Sequence, residues 1–318
     1  MRAVRVPTID DVVAARDVVN RHLRTTPVVR CPSLDPHVVL KLETLQPTGS
    51  FKVRGGLVAV AHVRDRPIVT ASAGNHGLGV AYAASQYGAH ATIVIPTNAS
   101  AVKRSALEEY AVELLEVGTS YDEAEAHALR LGTQGAHFVS PYNDPDTIAG
   151  QGTIALELFE QSPDVEQIIV PIGGGGLISG IGLAASVHPS VRVIGVQTVA
   201  SPAMVAALNG AGPITVQPTL ADGLAGNLEP GTVTVDLTRQ LVADIVTVSE
   251  DEIADAIDLL FREHGLVVEG SGAVGVAALL HGRVAVIGPT AVVVTGRNIA
   301  RDVFVRVLNR EGGGPRRR

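Results

Sequence analysis

Only three of the 25 basic residues in this 318-residue chain are lysines: Lys41, Lys52 and Lys103. Chemistry that needs a primary amine therefore has three candidates. Lys52 ends the turn Gly49-Ser50-Phe51-Lys52 and opens a helical run, 53–61. At a helix start, free N–H groups and the positive dipole end disfavour an ammonium. The neutral amine that results is the form that adds to a carbonyl. Lys41 stands in a strand-like run beside Glu43 and reads as half of a structural ion pair. Lys103, next to Arg104 on a polar helix face, reads as solvated. A second cluster is Ser72-Ala73-Gly74-Asn75-His76-Gly77, between a strand-like run and a helical one. Such a turn offers N–H groups to an anion such as a carboxylate. Asn75 adds an amide that can bond an oxygen, and His76 can serve as base, ligand or cap. The third cluster is Gly173-Gly174-Gly175-Gly176-Leu177, again between strand and helix. Four glycines there let backbone N–H groups close on a phosphate. A nicotinamide fingerprint fits poorly: counted from Gly174 it ends on Ser179, and Gln197 stands where its acid belongs. The fourth is Thr295-Gly296-Arg297-Asn298, a hydroxyl at the end of an apolar strand.

These loops need elements to hold them. Short β-branched runs at 38–42, 68–71, 91–95, 166–172, 191–196, 244–248 and 291–295 alternate with helical stretches at 12–23, 77–86, 101–110, 121–131, 148–159, 177–187, 250–263 and 271–280. Strands alternating with helices of this length read as βαβ units and parallel sheets. The Gly- and Pro-rich stretch 210–231 reads as a loop, and 312–318 as a disordered tail. Hydrophobic residues are 46% of the chain and charged residues 18%, enough for a large core. Aromatics are 3%, and 25 basic against 32 acidic residues leave a net charge of −7, so nucleic acid is not expected as a partner. No apolar run approaches the ~20 residues of a membrane span. The N-terminus has no signal-peptide pattern, and a single Cys31 permits neither an internal disulfide nor a cysteine zinc cluster. A cytoplasmic protein is expected.

Together the segments 41–55, 72–77, Ala149-Gly150-Gln151-Gly152-Thr153, 173–177 and 295–298 resemble the fold-type II pyridoxal-phosphate enzymes, in particular the serine/threonine dehydratase and serine racemase group. The resemblance implies an α/β fold of two domains, each an open, mostly parallel twisted sheet flanked by helices, as in the tryptophan synthase β-like family. Residues 1–62 and 141–318 would form the large cofactor-binding domain and 63–140 a small mobile one. Lys52 matches the lysine that holds pyridoxal 5'-phosphate. Phe51 and Asn75 match residues that pack its ring and bond its 3-oxygen, and Gly173, Gly174, Gly175, Gly176 and Leu177 match its phosphate loop. Thr295 matches the hydroxyl partner of the ring nitrogen, Gly223 a backbone position beside the cofactor, and Glu269 an acid near the ring. Ser72, Ala73, Gly74, Asn75 and His76 match the loop that binds the substrate carboxylate.

The implied activity is β-elimination: an L-β-hydroxy amino acid such as threonine or serine becomes a 2-oxo acid and ammonia. A hydroxyl at Thr295, in place of an aspartate, makes a weaker electron sink and favours elimination over transamination. Bulkier substrates, such as 3-hydroxyaspartate or phenylserine, are an alternative. Racemisation and β-replacement are less favoured, and a cofactor- or nucleotide-binding module without turnover is the non-enzyme alternative. Racemases of the group carry a serine where Ala73 stands, and Ala73 has no proton to give. Metal-binding members hold a divalent ion with Glu and Asp where this chain has Gln197 and Ala203, so no metal is expected unless Asp222 substitutes. The resemblance further implies a homodimer, and a short catabolic-type enzyme without a C-terminal regulatory domain.

Overall fold

The computed structural model of the protein describes residues 4–310; the expected tail 312–318 lies outside them. In chain order, α1 (Ile9–His22) leads to β1 (Val28–Arg30), β2 (Val38–Leu42), a 3-10 turn at Glu43–Leu45 and α2 (Lys52–Val63). Next come β3 (Ile68–Ala71), α3 (Asn75–Tyr87), β4 (Ala91–Ile95), α4 (Ala101–Glu108), β5 (Glu113–Glu116), α5 (Tyr121–Thr133) and β6 (His137–Phe138). The rest is α6 (Pro145–Gln161), β7 (Gln167–Pro171), α7 (Gly176–Ala185), β8 (Arg192–Thr198), α8 (Ala203–Leu208), α9 (Val233–Leu241), β9 (Asp244–Val248), α10 (Glu250–His264), α11 (Gly270–Leu280), β10 (Thr290–Val294) and α12 (Arg301–Leu308).

The strands form two sheets. A six-stranded sheet runs β1-β2-β10-β7-β8-β9, parallel except for the antiparallel edge strand β1. A four-stranded sheet, β5-β4-β3-β6, is parallel throughout. The larger sheet takes its strands from both sides of the segment that builds the smaller one. Its inner strands β2, β10, β7 and β8 are Val- and Ile-rich and buried on both faces, as a parallel sheet covered by helices requires. Insertion of β10 between β2 and β7 brings the end of the last strand beside one strand from before the smaller sheet's segment and one from after it. Ligand crevices of open α/β sheets lie outside the carboxyl ends of strands.

Lys41 is fully buried, and its partner is Glu157 at 2.5 Å, not Glu43. Glu43 instead takes the Arg54 guanidinium, whose other edge meets Glu157. Sequence proximity suggested the pairing with Glu43; the fold delivers α6 to the strand and changes it. Lys103 is about half exposed but reaches Asp222 at 3.4 Å, from α4 to the 3-10 turn at Asp222–Leu224. Within the glycine-rich stretch 210–231, that turn is the one regular element among the described residues.

Candidate active site

β7 ends at Pro171, and the chain passes through the glycines into α7. Gly175 has φ +89°, a left-handed backbone that a side chain would strain. The loop is clamped along its flank. A Cβ on Gly174 would collide with the Tyr142 ring, and Thr234 Oγ1 donates to the Gly174 carbonyl at 2.8 Å. The first N–H groups of α7 have no acceptor within the helix, as at any helix start, and form the positive end of its dipole. Gly173 approaches the 3-10 turn: its Cβ would sit 3.2 Å from Leu224 Cα, beside Gly223. The glycine loop and Gly223 therefore lie together.

Lys52 opens α2 and is half-buried. Its Nζ donates to the Pro141 carbonyl at 2.8 Å. Burial lowers its pKa to about 8, against the upward pull of Glu269. The sequence expectation of a depressed value holds with a different cause, burial rather than the helix start. The turn that carries it is stitched to the end of β10. Phe51 N–H donates to the Thr295 carbonyl at 3.0 Å, and Ser50 pairs with Gly296. Thr295 itself is 2% exposed.

The loop after β3 brings the third group. Asn75 Nδ2 donates to Glu269 Oε1 at 2.8 Å. Burial, with a push from Asp222, raises the Glu269 carboxyl to about 7. His76 is buried, and its Nε2 lies 3.1 Å from the Val139 carbonyl. A carbonyl only accepts, so Nε2 carries the proton and Nδ1 is the bare nitrogen. Burial first and Lys52 second push its pKa down to about 3, so His76 is a neutral imidazole at ordinary pH. Ser72 Oγ accepts from the Gly74 N–H at 3.2 Å, fixing the turn between Ser72, Ala73 and Gly74.

Gln197, by contrast, is spanned by the protein itself. Its Nε2 donates to the Ile172 and Ser201 carbonyls at 3.4 Å each, and its Oε1 accepts from Val205 N–H at 3.0 Å. Among the described residues, Pro141, Tyr142, Thr234 and Asn298 join the site without having been singled out from the sequence. Tyr142 and Thr234 gave no signal because they meet the glycine loop only through packing of distant segments. Asn298 stood within a motif noticed for its threonine.

An amine with a lowered pKa, a helix start open to an anion, a carboxamide donor and a strand-end hydroxyl suit one kind of ligand. It joins a carbonyl, a phosphate and a polar aromatic ring, and pyridoxal phosphate has all three. The family profile described as pyridoxal-phosphate dependent enzyme matches residues 19–296. This chain belongs to that family. An L-threonine ammonia-lyase of Thermotoga maritima is 44% identical over 316 residues, 95% of this chain and 78% of that protein. The catabolic L-threonine dehydratase of Escherichia coli K12 is 38% identical, covering 86% of this chain and 87% of that one. The structure of maize serine racemase superposes with a TM-score of 0.88 at 32% identity, over 95% of this chain and 97% of that chain. The two-sheet architecture is that of the fold-type II pyridoxal-phosphate enzymes.

Proposed function

We propose that this pyridoxal-phosphate enzyme dehydrates and deaminates an L-β-hydroxy amino acid, threonine first and serine second, to a 2-oxo acid and ammonia. The observation that carries the reading is the Lys52 amine, held near pKa 8 within the same site as the Asn75–Glu269 pair. The names of its relatives at 38–44% identity support it. Lys52, Asn75, Thr295, Gly223 and the loop of Gly173–Leu177 would hold the cofactor, with Phe51 against its ring and Glu269 beside it. The bound cofactor supplies the electron sink that lets the Cα–H bond break. Lys52, uncharged, takes the Cα proton. The 72–76 loop would hold the substrate carboxylate through its remaining N–H groups, those of Ser72 and Gly74 being engaged by the Val94 carbonyl and Ser72 Oγ. Neutral His76 adds no second cation beside Lys52. The proton lost from Cα and the β-hydroxyl together leave as water, and hydrolysis of the C–N bond releases ammonia.

The likeness to a serine racemase favours a second reading, L-to-D exchange. Ala73 argues against it, having no proton to return to the opposite face of Cα. The Gln197 amide already ties together the backbone around it, which supports turnover without a divalent metal. We also propose a homodimer in the cytoplasm, with residues 63–140 moving as the smaller unit. Among the described residues no helix is long and apolar enough to cross a membrane.

The test is a panel of β-hydroxy amino acids, read by 2-oxo acid release and by chiral separation, with and without excess chelator. Threonine and serine should release 2-oxo acid, unchanged by chelator and without D-product. Lys52→Ala should lose turnover and the visible absorbance of bound cofactor, while Lys103→Ala keeps the absorbance. Persistence of that absorbance in Lys52→Ala would refute the assignment.

A further inference from the structure

The main-chain carbonyl of Thr48 can only accept a hydrogen bond. Asn298 meets it through Nδ2 at 2.9 Å, and the same nitrogen reaches Asn75 Oδ1 at 2.7 Å. Both hydrogens of that amide are then engaged. Asn75 must face Asn298 with its oxygen, so its own Nδ2 points the other way, onto Glu269 Oε1. The backbone N–H of Asn298 donates to the Glu269 carboxylate and closes the ring. One peptide carbonyl thus sets the direction of two amides. Asn75 starts α3, beside the smaller sheet, whereas Thr48, Glu269 and Asn298 belong to segments around the larger one.

We propose that Asn298 is a positioning residue: it orients the Asn75 amide so that the remaining N–H of Asn75, and not its carbonyl, meets the ring oxygen of the cofactor. The inference rests on the proposed place of Asn75 beside pyridoxal phosphate. A reversed amide would aim lone pairs at an anionic oxygen, turning an attraction into a repulsion. Asn298 is exposed at the edge of the site, so changing it removes no core packing.

Two substitutions separate orientation from bulk. Asn298→Asp keeps the shape but offers only acceptors, which draws Asn75 Nδ2 towards it and reverses the amide. Asn298→Ala removes the bulk and lets Asn75 choose. Apo-proteins are titrated with pyridoxal phosphate and read by visible absorbance. Affinity should fall in the order wild type, Asn298→Ala, Asn298→Asp, the last weaker than wild type by on the order of tenfold. A merely steric role predicts the opposite order for the two variants, and that order, or three equal affinities, overturns the proposal. If circular dichroism shows Asn298→Asp unfolded, Asn298→Ser replaces it. Its hydroxyl can donate one bond, so it should bind more tightly than Asn298→Ala, and equality overturns the proposal. Lys52→Ala is titrated alongside. A wild type without a visible band, or Lys52→Ala with one, refutes the cofactor assignment itself, whatever the order at position 298.

Discussion

Lys52 is caught between two opposed influences. Burial lowers its pKa and the Glu269 carboxylate raises it, and burial wins, leaving it near 8. An amine adds to a carbonyl only when neutral, and its neutral fraction grows as pH rises towards its pKa. Capture of pyridoxal phosphate by the apo-protein should therefore speed up about tenfold per pH unit below 8 and level off above it. Glu269→Gln removes the opposing charge and should move the midpoint lower. Stopped-flow absorbance across pH 6 to 10, at constant ionic strength, measures both. A midpoint near the ordinary lysine value of 10.5 would show that burial does not govern this amine. The sequence could show that Lys52 was framed by a turn and a helix. It could not show burial, which is made by segments distant in the chain, so a depressed value was expected for another reason.

The geometry between Lys52 and Asn75 is set by two helices that nearly touch. A Cβ on Gly56 of α2 would lie 2.6 Å from the Gly79 carbonyl oxygen, and one on Gly79 of α3 would lie 2.8 Å from the Lys52 carbonyl oxygen. Both obstacles are backbone, which cannot rotate away. Helix propensity alone favours Ala over Gly by roughly 0.5–1 kcal/mol. Overpacking costs about 1–3 kcal/mol, so here the overlap outweighs the propensity. Gly79→Ala should lower the melting temperature and weaken pyridoxal-phosphate binding together, by moving α3 and Asn75 away from Lys52. Calorimetry and absorbance titration of one preparation test the pair, and a more stable variant with unchanged affinity would refute it. Nothing in the sequence marks this contact, because it pairs glycines 23 positions apart. What was legible were the elements with strong local pattern, such as β2, β3, β4 and β9, whose limits match the β-branched runs. β1 has three residues, β6 has two, and β5 reads Glu-Leu-Leu-Glu without a β-branched residue, so each exists through its neighbours. The glycine loop was legible because its chemistry is local to one strand–helix junction. The Asn75–Glu269 contact joins residues 194 apart in the chain, and only the fold brings them to one place.

Across the whole molecule, a buried charge cluster ties the first strand–helix unit to α6. Lys41 and Arg54 face Glu43 and Glu157, two cations to two carboxylates, all nearly or fully buried. Arg54 holds Glu43 with two nitrogens, reaches Glu157 with two, and adds Thr153 Oγ1 at 3.1 Å. Lys41 has the Thr26 carbonyl and Gln161 besides Glu157. Charge balance, more than any single bond, keeps such a cluster stable, because an unmatched ion in the interior loses its hydration with nothing to replace it. Glu157→Leu leaves two cations facing one carboxylate and should cost about 3–5 kcal/mol. Lys41→Met with Glu157→Leu removes one charge of each sign and leaves the Arg54–Glu43 pair intact. The double variant should therefore be more stable than Glu157→Leu alone, although it carries one more change. Chemical denaturation of wild type, both single variants and the double closes the cycle. Additive losses, with the double the least stable, would mean that the cluster acts through its individual contacts and not through its balance.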